Sequence, residues 1–366
     1  MTRRGRRVGA AAALATVVAT VAGASLVAPA HASGWSSRSS LTVMTRNLYL
    51  GADLTPALAI DPADPAAGEK FVGAVAAIYG TALRSDFPAR ARAVAAEIQA
   101  TDPDLIGLQE VSIWDAEGVG APPDLDFLAV LQATLRASGL NYSVAAVSSN
   151  ATIGPLPLYA PCGTPLTCTI TLKDRDVILV NDDTRRLDTW GARSGLFTGQ
   201  QFFQPPVPGA PPVSFSRGWA TIEGRIGHER FRFATTHLEV ETFAGVQEAQ
   251  AAEFLAGPAR SRYPTVITGD FNSAADGSTT TSYAQLAAAF RDAWSTRSGT
   301  PGLTCCQSET LANPTSQLST RIDLAMGRRG ARPLSATVVG AAPVGSTPPL
   351  YASDHAGVVA TFSIDD

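Results

Sequence analysis

The sequence predicts an α/β domain of stacked layers, and three observations carry that prediction. Short apolar runs of strand character alternate with stretches of helical periodicity along almost the whole chain, a pattern that favours a layered α/β core. With 45% hydrophobic and 16% charged residues among 366, the composition is that of a packed globule and not of a disordered chain. No internal repeat, low-complexity linker or charge block marks a boundary within residues 33–366, which are therefore read as one catalytic-size domain.

The first 32 residues stand apart. Arg3, Arg4, Arg6 and Arg7 form a positive n-region, an Ala/Val-rich stretch follows over 8–28, and Ala30-His31-Ala32 places small residues around a cut before Ser33. That is the anatomy of a secretory signal peptide, so a secreted, extracellular protein with no transmembrane segment in its mature form is expected. The four arginines leave with that segment, which takes the formal charge from −4 to about −8. Such a balance speaks against a pure duplex-binding module, which usually carries a basic face, and leaves room for a catalyst with a local cationic site. Cys162, Cys168, Cys305 and Cys306 are an even number in an exported chain and suggest disulfides. A Cys162–Cys168 bond closing a short loop is favoured, with Cys305–Cys306 as its complement; cross-pairing between the two sites stays open. No spacing among them resembles a zinc site.

Taken in order, residues 41–45 read as a strand that runs on to Asn47. Helices are expected over 69–79 and 88–100; in the second, Val94 and Ile98 share a face while Arg90 and Arg92 point elsewhere. Residues 104–109 are a short apolar run that closes on Gln109-Glu110, a buried strand. An amphipathic helix over 125–137 and a strand over 142–147 follow. The centre is loopier. A strand over 176–180 precedes turn residues, and 191–212, rich in Gly, Pro, Gln and Phe, reads as an irregular insertion. Strands over 219–226 and 231–236 pair through the turn Gly227-His228-Glu229, which leaves His228 solvated. Residues 244–255 are helical, 264–268 a strand running into Gly269-Asp270-Phe271-Asn272, and 283–290 a helix. The last strands are 322–326 and 358–363.

Polar residues collect at the ends of these apolar runs, where a sheet can present side chains into a common cleft. Singly, each has an ordinary explanation; Gly-Asp-Phe-Asn, for instance, suits a turn by composition alone. Together they form an ordered set: Thr-Arg-Asn-Leu (45–48), Leu-Gln-Glu-Val (108–111), Thr-His-Leu (236–238), Gly-Asp-Phe-Asn-Ser (269–273), Arg-Ile-Asp (321–323) and Ser-Asp-His (353–355). In that order the set resembles the endonuclease/exonuclease/phosphatase superfamily, which includes pancreatic-type deoxyribonucleases, abasic-site endonucleases, neutral sphingomyelinases and inositol polyphosphate phosphatases. The resemblance spans residues 41–363. It implies a four-layer α/β sandwich, two central, mostly antiparallel sheets with helices outside, and a monomer.

Asn47, Glu110 and Asp354 offer hard oxygen donors, which suit Mg²⁺ or Mn²⁺ and not a soft ion. Such an ion would act as a Lewis acid on a phosphate. His355, beside a ligand, is the candidate to act on the attacking water, with Asp323 as its orienting carboxylate. The resemblance assigns Asp270 and Asn272 to the nucleophile and the phosphate, and Asp270 is the alternative proton acceptor. His237 would hydrogen-bond a phosphate oxygen or protonate the leaving group. Of Asp174 and Asp176, Asp176 abuts a strand and is taken as the acid serving His237, and Arg217 would supply positive charge toward the phosphate.

The expected activity is metal-dependent hydrolysis of a phosphodiester by an activated water. Phospholipid head-group cleavage, of the phospholipase C or sphingomyelinase kind, is favoured by export, by the acidic mature chain and by apolar stretches that could touch a membrane surface. These are Leu196-Phe197, Phe202-Phe203 and Leu156-Pro157-Leu158-Tyr159. An extracellular deoxyribonuclease acting on DNA is the alternative, although the inserts over 151–165 and 199–212 contain no Arg or Lys. A phosphatase on a small phosphorylated substrate would show clustered Lys and Arg. A catalytically dead interaction domain should have lost site residues, and none of the core set is missing.

Overall fold

Strands that read as unbroken apolar runs are buried on both faces, as a computed structural model shows; it describes residues 39–158, 168–297, 299–345 and 349–365. The segment expected to be a signal peptide, Tyr159 and Cys162 lie outside the described residues. Successive residues of one strand feed different cores. Val43, Phe233 and Val266 pack between two sheets, whereas Met44, Ala234 and Ile267 face helices on the outside. With no solvated face, such a strand shows no polar alternation.

The elements run β1 (Ser39–Asn47), α1 (Thr55–Leu58), α2 (Ala67–Arg84), α3 (Phe87–Thr101), β2 (Leu105–Gln109), β3 (Ile113–Gly118), β4 (Leu125–Asp126), α4 (Phe127–Ala137), β5 (Tyr142–Leu158), β6 (Cys168–Asn181) and β7 (Leu187–Leu196). They continue through β8 (Gln201–Phe203), β9 (Val213–Phe215), β10 (Gly218–Ile226), β11 (Glu229–His237), α5 (Ala244–Ala256), β12 (Thr265–Asp270), α6 (Ser282–Ala289), β13 (Arg291–Asp292), β14 (Asp323–Arg328), β15 (Ala331–Val339) and β16 (Gly357–Ile364). Asp86 and Asp126 cap α3 and α4 by accepting from backbone N–H groups of the first turn.

One sheet has the order β15-β16-β1-β2-β6-β3-β4, with β5 also on β6; the other runs β13-β14-β12-β11-β10-β7. Among the described residues only β1–β2 and β11–β12 pair in parallel, so both sheets are mostly antiparallel. Phe71, Ile78, Phe87 and Phe127 of α2, α3 and α4 cover the outer face of the first sheet, while Phe254 of α5 and Leu286 of α6 cover that of the second. This is the four-layer sandwich expected from the sequence. The sheets pack tightly at Gly107 on β2, where a Cβ would lie 2.4 Å from Thr235 Oγ1 and 2.5 Å from Thr268 Oγ1. Just above it, Gln109 Nε2 donates to Thr235 Oγ1 at 2.9 Å and Thr45 Oγ1 donates to Gln109 Oε1 at 3.1 Å. The first of these bonds ties the sheets together directly beneath the site, and the second holds the Gln109 amide in place.

The structure corrects several expectations. Residues 191–212 are not wholly irregular: β7 forms an edge strand on β10, and β8 pairs with β9 as a short ribbon. The edge strand is exposed along most of its length, so it carries no apolar period to reveal it. Arg90 does not point away from the helix's packed face. It is fully buried, donates to the carbonyls of Leu48 (2.5 Å), Ala352 (3.2 Å) and Ser85 (3.1 Å), and lies over the Phe87 and Phe127 rings. Phe197 and Leu158 are buried core residues, so of the apolar stretches assigned to a surface mainly Leu196 and Phe202 are left exposed. Cys305 and Cys306 are bonded to each other, and Cys168 is disulfide-bonded as well. Among the described residues no helix is long and apolar enough to cross a membrane.

Candidate active site

Strand register gathers the predicted residues at one end of both sheets. Asn47 is level with Gln109, whose successor is Glu110, while His237 pairs with Asp270 and Asp270 with Asp323. β16 runs antiparallel to β1, so Asp354 and His355, just before β16, arrive at the same end. Tyr49, Glu110 and Asn272 have φ values of 60°, 55° and 48°. Non-glycine residues seldom adopt this left-handed region, and it turns the chain sharply just past three strand ends.

Asp270 stands between two histidines. Its Oδ2 lies 3.5 Å from His237 Nε2 and 3.7 Å from His355 Nε2, and its Oδ1 accepts from Asn272 N–H at 2.9 Å. On its far side His355 Nδ1 meets Asp323 Oδ2 at 2.9 Å. The two rings are driven in opposite directions. Burial alone would lower the His355 pKa, but Asp323, Asp270 and Asp354 together hold it well above the ordinary value. Burial, Arg217 and His355 push His237 well below it. The site therefore holds one imidazolium and one neutral imidazole, as opposite environments do to chemically identical groups. Burial raises the Asp270 carboxyl to about 6, against the pull of His355.

Across the cleft, Glu110 accepts from Asn47 Nδ2 at 3.1 Å and from Leu50 N–H at 2.6 Å. Asn47 Nδ2 also donates to Asp270 Oδ2 at 3.1 Å, and Asn47 Oδ1 accepts from Tyr49 N–H at 2.8 Å. Asn47 thus clamps two carboxylates with its amide nitrogen. Burial and the charge of Asp354 push Glu110 up to about 7, and burial raises Asp354 as well. Both carboxyls remain half-buried and open to the cleft. Two carboxylates that repel each other beside a third, all hard oxygen donors, fit a divalent cation of the Mg²⁺ or Mn²⁺ type. Among the described residues, the tightest groups of metal-capable side chains are Asp270, Asp323 and His355, and Cys305, Cys306 and His355. The first is spent on the His355–Asp323 hydrogen bond, and the cysteines are bonded to each other and offer no thiolate.

The acid expected beside His237 is not Asp176. Asp176 is fully buried, and neither of its carboxylate oxygens has a hydrogen-bond partner; burial and Asp174 push it well above the carboxylate range. Arg217 occupies that place instead, with Nη1 3.1 Å from His237 Nδ1 and 3.3 Å from Nε2, and Nη2 3.4 Å from Glu239 Oε1. His228 is exposed in its turn, as expected.

Several supporting residues escaped the sequence. Glu239 anchors Arg217, and Gln247 Nε2 donates to the carbonyls of Glu239 (2.7 Å) and Asn272 (2.8 Å). Thr304 Oγ1 accepts from the N–H groups of Ile322 (3.1 Å) and Asp323 (3.2 Å). Arg46, fully buried, pairs with Glu97 at 2.9 Å and donates to the carbonyl of His355. Only Arg46 left a signal, because an arginine inside an apolar strand needs a buried partner. The site opens onto a cleft of about 600 Å³ lined by Glu110, Arg217, His237, Asp270, Asn272, Asp354 and His355 among others.

The architecture and the strand-end acids define a phosphoester-hydrolase type of site. The Endonuclease/Exonuclease/phosphatase family model matches residues 78–355, and the chain belongs to that family, whose members are hydrolases acting on phosphoester bonds. No curated protein sequence matches it significantly. Among solved structures it is similar to a family member from Bacteroides thetaiotaomicron at 16% identity and TM-score 0.56, covering 90% of this chain and 100% of that one. A mannosyl-6-phosphatase from the same organism aligns at 16% identity and TM-score 0.54 over 87% and 98%. A family member from Beutenbergia cavernae aligns at 20% and 0.53 over 89% and 72%. At these identities the likeness establishes the fold.

Proposed function

We propose that the protein is a secreted, divalent-metal-dependent phosphodiesterase that cleaves phospholipid head groups by attack of an activated water. Asp270 is ionised at neutral pH and stands at the centre of the polar cluster, the position of a proton acceptor for that water. His355, held as an imidazolium by Asp323, faces Asp270 and offers positive charge or a proton to a phosphate oxygen. The backbone N–H of Asn272 fixes one Asp270 oxygen and leaves the other directed at the two rings. Arg217, kept charged by Glu239 and the neighbouring acids despite burial, adds a second cation at the mouth. Glu110 and Asp354 would hold the divalent ion, which supplies Lewis-acid stabilisation of the phosphate and the leaving oxygen.

One observation carries the choice of substrate. Arg217 is the sole Lys or Arg among the described residues lining the cleft, while Leu58, Phe202 and Phe243 of the same lining are 39%, 69% and 44% exposed. A polyanion would call for several cations, whereas a single phosphate carrying apolar groups meets this surface on both counts. The test compares three substrates in Mg²⁺ buffer: mixed phosphatidylcholine and sphingomyelin vesicles, a supercoiled plasmid and p-nitrophenyl phosphate. Release of a soluble phosphate ester from the vesicles at the highest kcat/KM is expected. Plasmid nicking without head-group release would replace this substrate with DNA.

A further inference from the structure

Beside the catalytic cleft lies a second pocket with a wholly apolar lining. α1 and α2 close it on one side, and β5, β6 and the β8–β9 ribbon on the other. Leu54, Leu58, Phe203 and Phe215 line both the pocket and the cleft, so the two are neighbours across these side chains. Alternation along β8 sends neighbouring rings to different tasks. Phe202 is 69% exposed on the cleft rim, while Phe203 lies against Phe71 of α2, ring centroids 6.0 Å apart.

The pocket measures about 50 Å³. Water gains nothing there, because a hydrocarbon wall offers no hydrogen-bond partner, and the lining forfeits dispersion contacts that a close-packed interior would have. Size selects the guest: an apolar cavity of roughly 150 Å³ takes a benzene ring, so a space a third as large admits a chain and not a ring.

We propose that this pocket is a subsite for a segment of the lipid's unbranched hydrocarbon chain, entered from the cleft past Leu58 and Phe203. It rests on the phosphodiesterase reading above for the placement of the phosphate in the cleft. The subsite takes a few carbons of that chain, and the rest continues along the exposed rim.

Isothermal titration calorimetry of n-alkyl phosphates from methyl to octyl, below their micelle-forming concentrations and in Mg²⁺ buffer, reads the subsite without turnover. Affinity should rise about fourfold per methylene over the few carbons that enter the pocket and then level. Ala57→Leu, which fills the pocket from α1, should flatten the rise and leave methyl phosphate binding unchanged; Val75→Leu does the same from α2 if the first variant fails to fold. Affinity independent of chain length in the wild type would overturn the inference. So would a rise that continues to octyl and survives both fillings, which would place the chain on the outer rim. Turnover of p-nitrophenyl methyl phosphate is scored separately: its absence would strike the phosphodiesterase reading, while the binding series still judges the pocket.

Discussion

His355 Nδ1 lies 2.9 Å from Asp323 Oδ2 across 32 residues of sequence, and Asp323 is itself the register partner of Asp270. The β12–β14 ladder therefore fixes both acids that face the ring. His355→Ala should lower kcat by on the order of 10²–10⁴-fold, the range for a positioned acid–base group. The double variant with Asp323→Ala should be little worse, because residues acting as a unit are non-additive. His228→Ala, in an exposed turn, is the control and should match the wild type. Steady-state kinetics on one phosphodiester checks all three, and a near-normal His355→Ala would dissolve the dyad's role.

The pH profile follows from Asp270. Its carboxyl, raised to about 6 by burial, must lose a proton before it can accept one, so kcat/KM should climb as pH rises through about 6. His355, held well above its ordinary value, is needed in its charged form, so activity should fall again at alkaline pH. Asp270→Asn should remove the acid limb along with most of the rate. A profile flat from pH 5 to 7 would contradict this assignment.

The carboxylates of Glu110 and Asp354 destabilise each other. A bound dication relieves that repulsion and stabilises the fold by mass action, by about 2.7 kcal/mol at a hundred times Kd. Mg²⁺ should raise Tm by a few degrees in differential scanning calorimetry. Glu110→Gln should lose that response, and in chelator it should melt no lower than the wild type, since one charge of the repelling pair is gone.

Gly107 marks a close approach of the two sheets. A methyl group there would sit 2.4 Å from Thr235 Oγ1, so Gly107→Ala should cost about 1–3 kcal/mol, as overpacking does. Urea unfolding measures it, and an unchanged midpoint would mean the sheets can part at no cost.

Much of this was legible in the sequence because burial writes itself into composition. The strands that position the site are apolar on both faces; Asn47, His237, Asp270 and Asp323 end or begin one of them, and Glu110 and His355 lie just beside one. What stayed hidden follows other rules. β7 is polar and lies at a sheet edge; β15 is also an edge strand and slips register between Pro333 and Ser335. Arg90 looks like a surface residue until the carbonyls it serves are seen, and although Arg46 inside an apolar strand signals a buried partner, no local pattern announces which one, 262 or 309 residues away. Asp176 was placed by its adjacency to a strand, yet its side chain is buried without a hydrogen-bond partner, and His237 meets Arg217 and Asp270 instead.

The central claim is that this cleft hydrolyses a phosphodiester with the help of a divalent ion held by Glu110 and Asp354. Its most direct test is the rate of soluble phosphate-ester release from phosphatidylcholine and sphingomyelin vesicles as Mg²⁺ is titrated into chelator-stripped protein, for the wild type and for Glu110→Gln. The wild type should be inactive in EDTA and recover saturably with Mg²⁺, and Glu110→Gln should need far more of the ion for the same rate. Full activity in EDTA, or identical Mg²⁺ curves for the two proteins, would contradict the account.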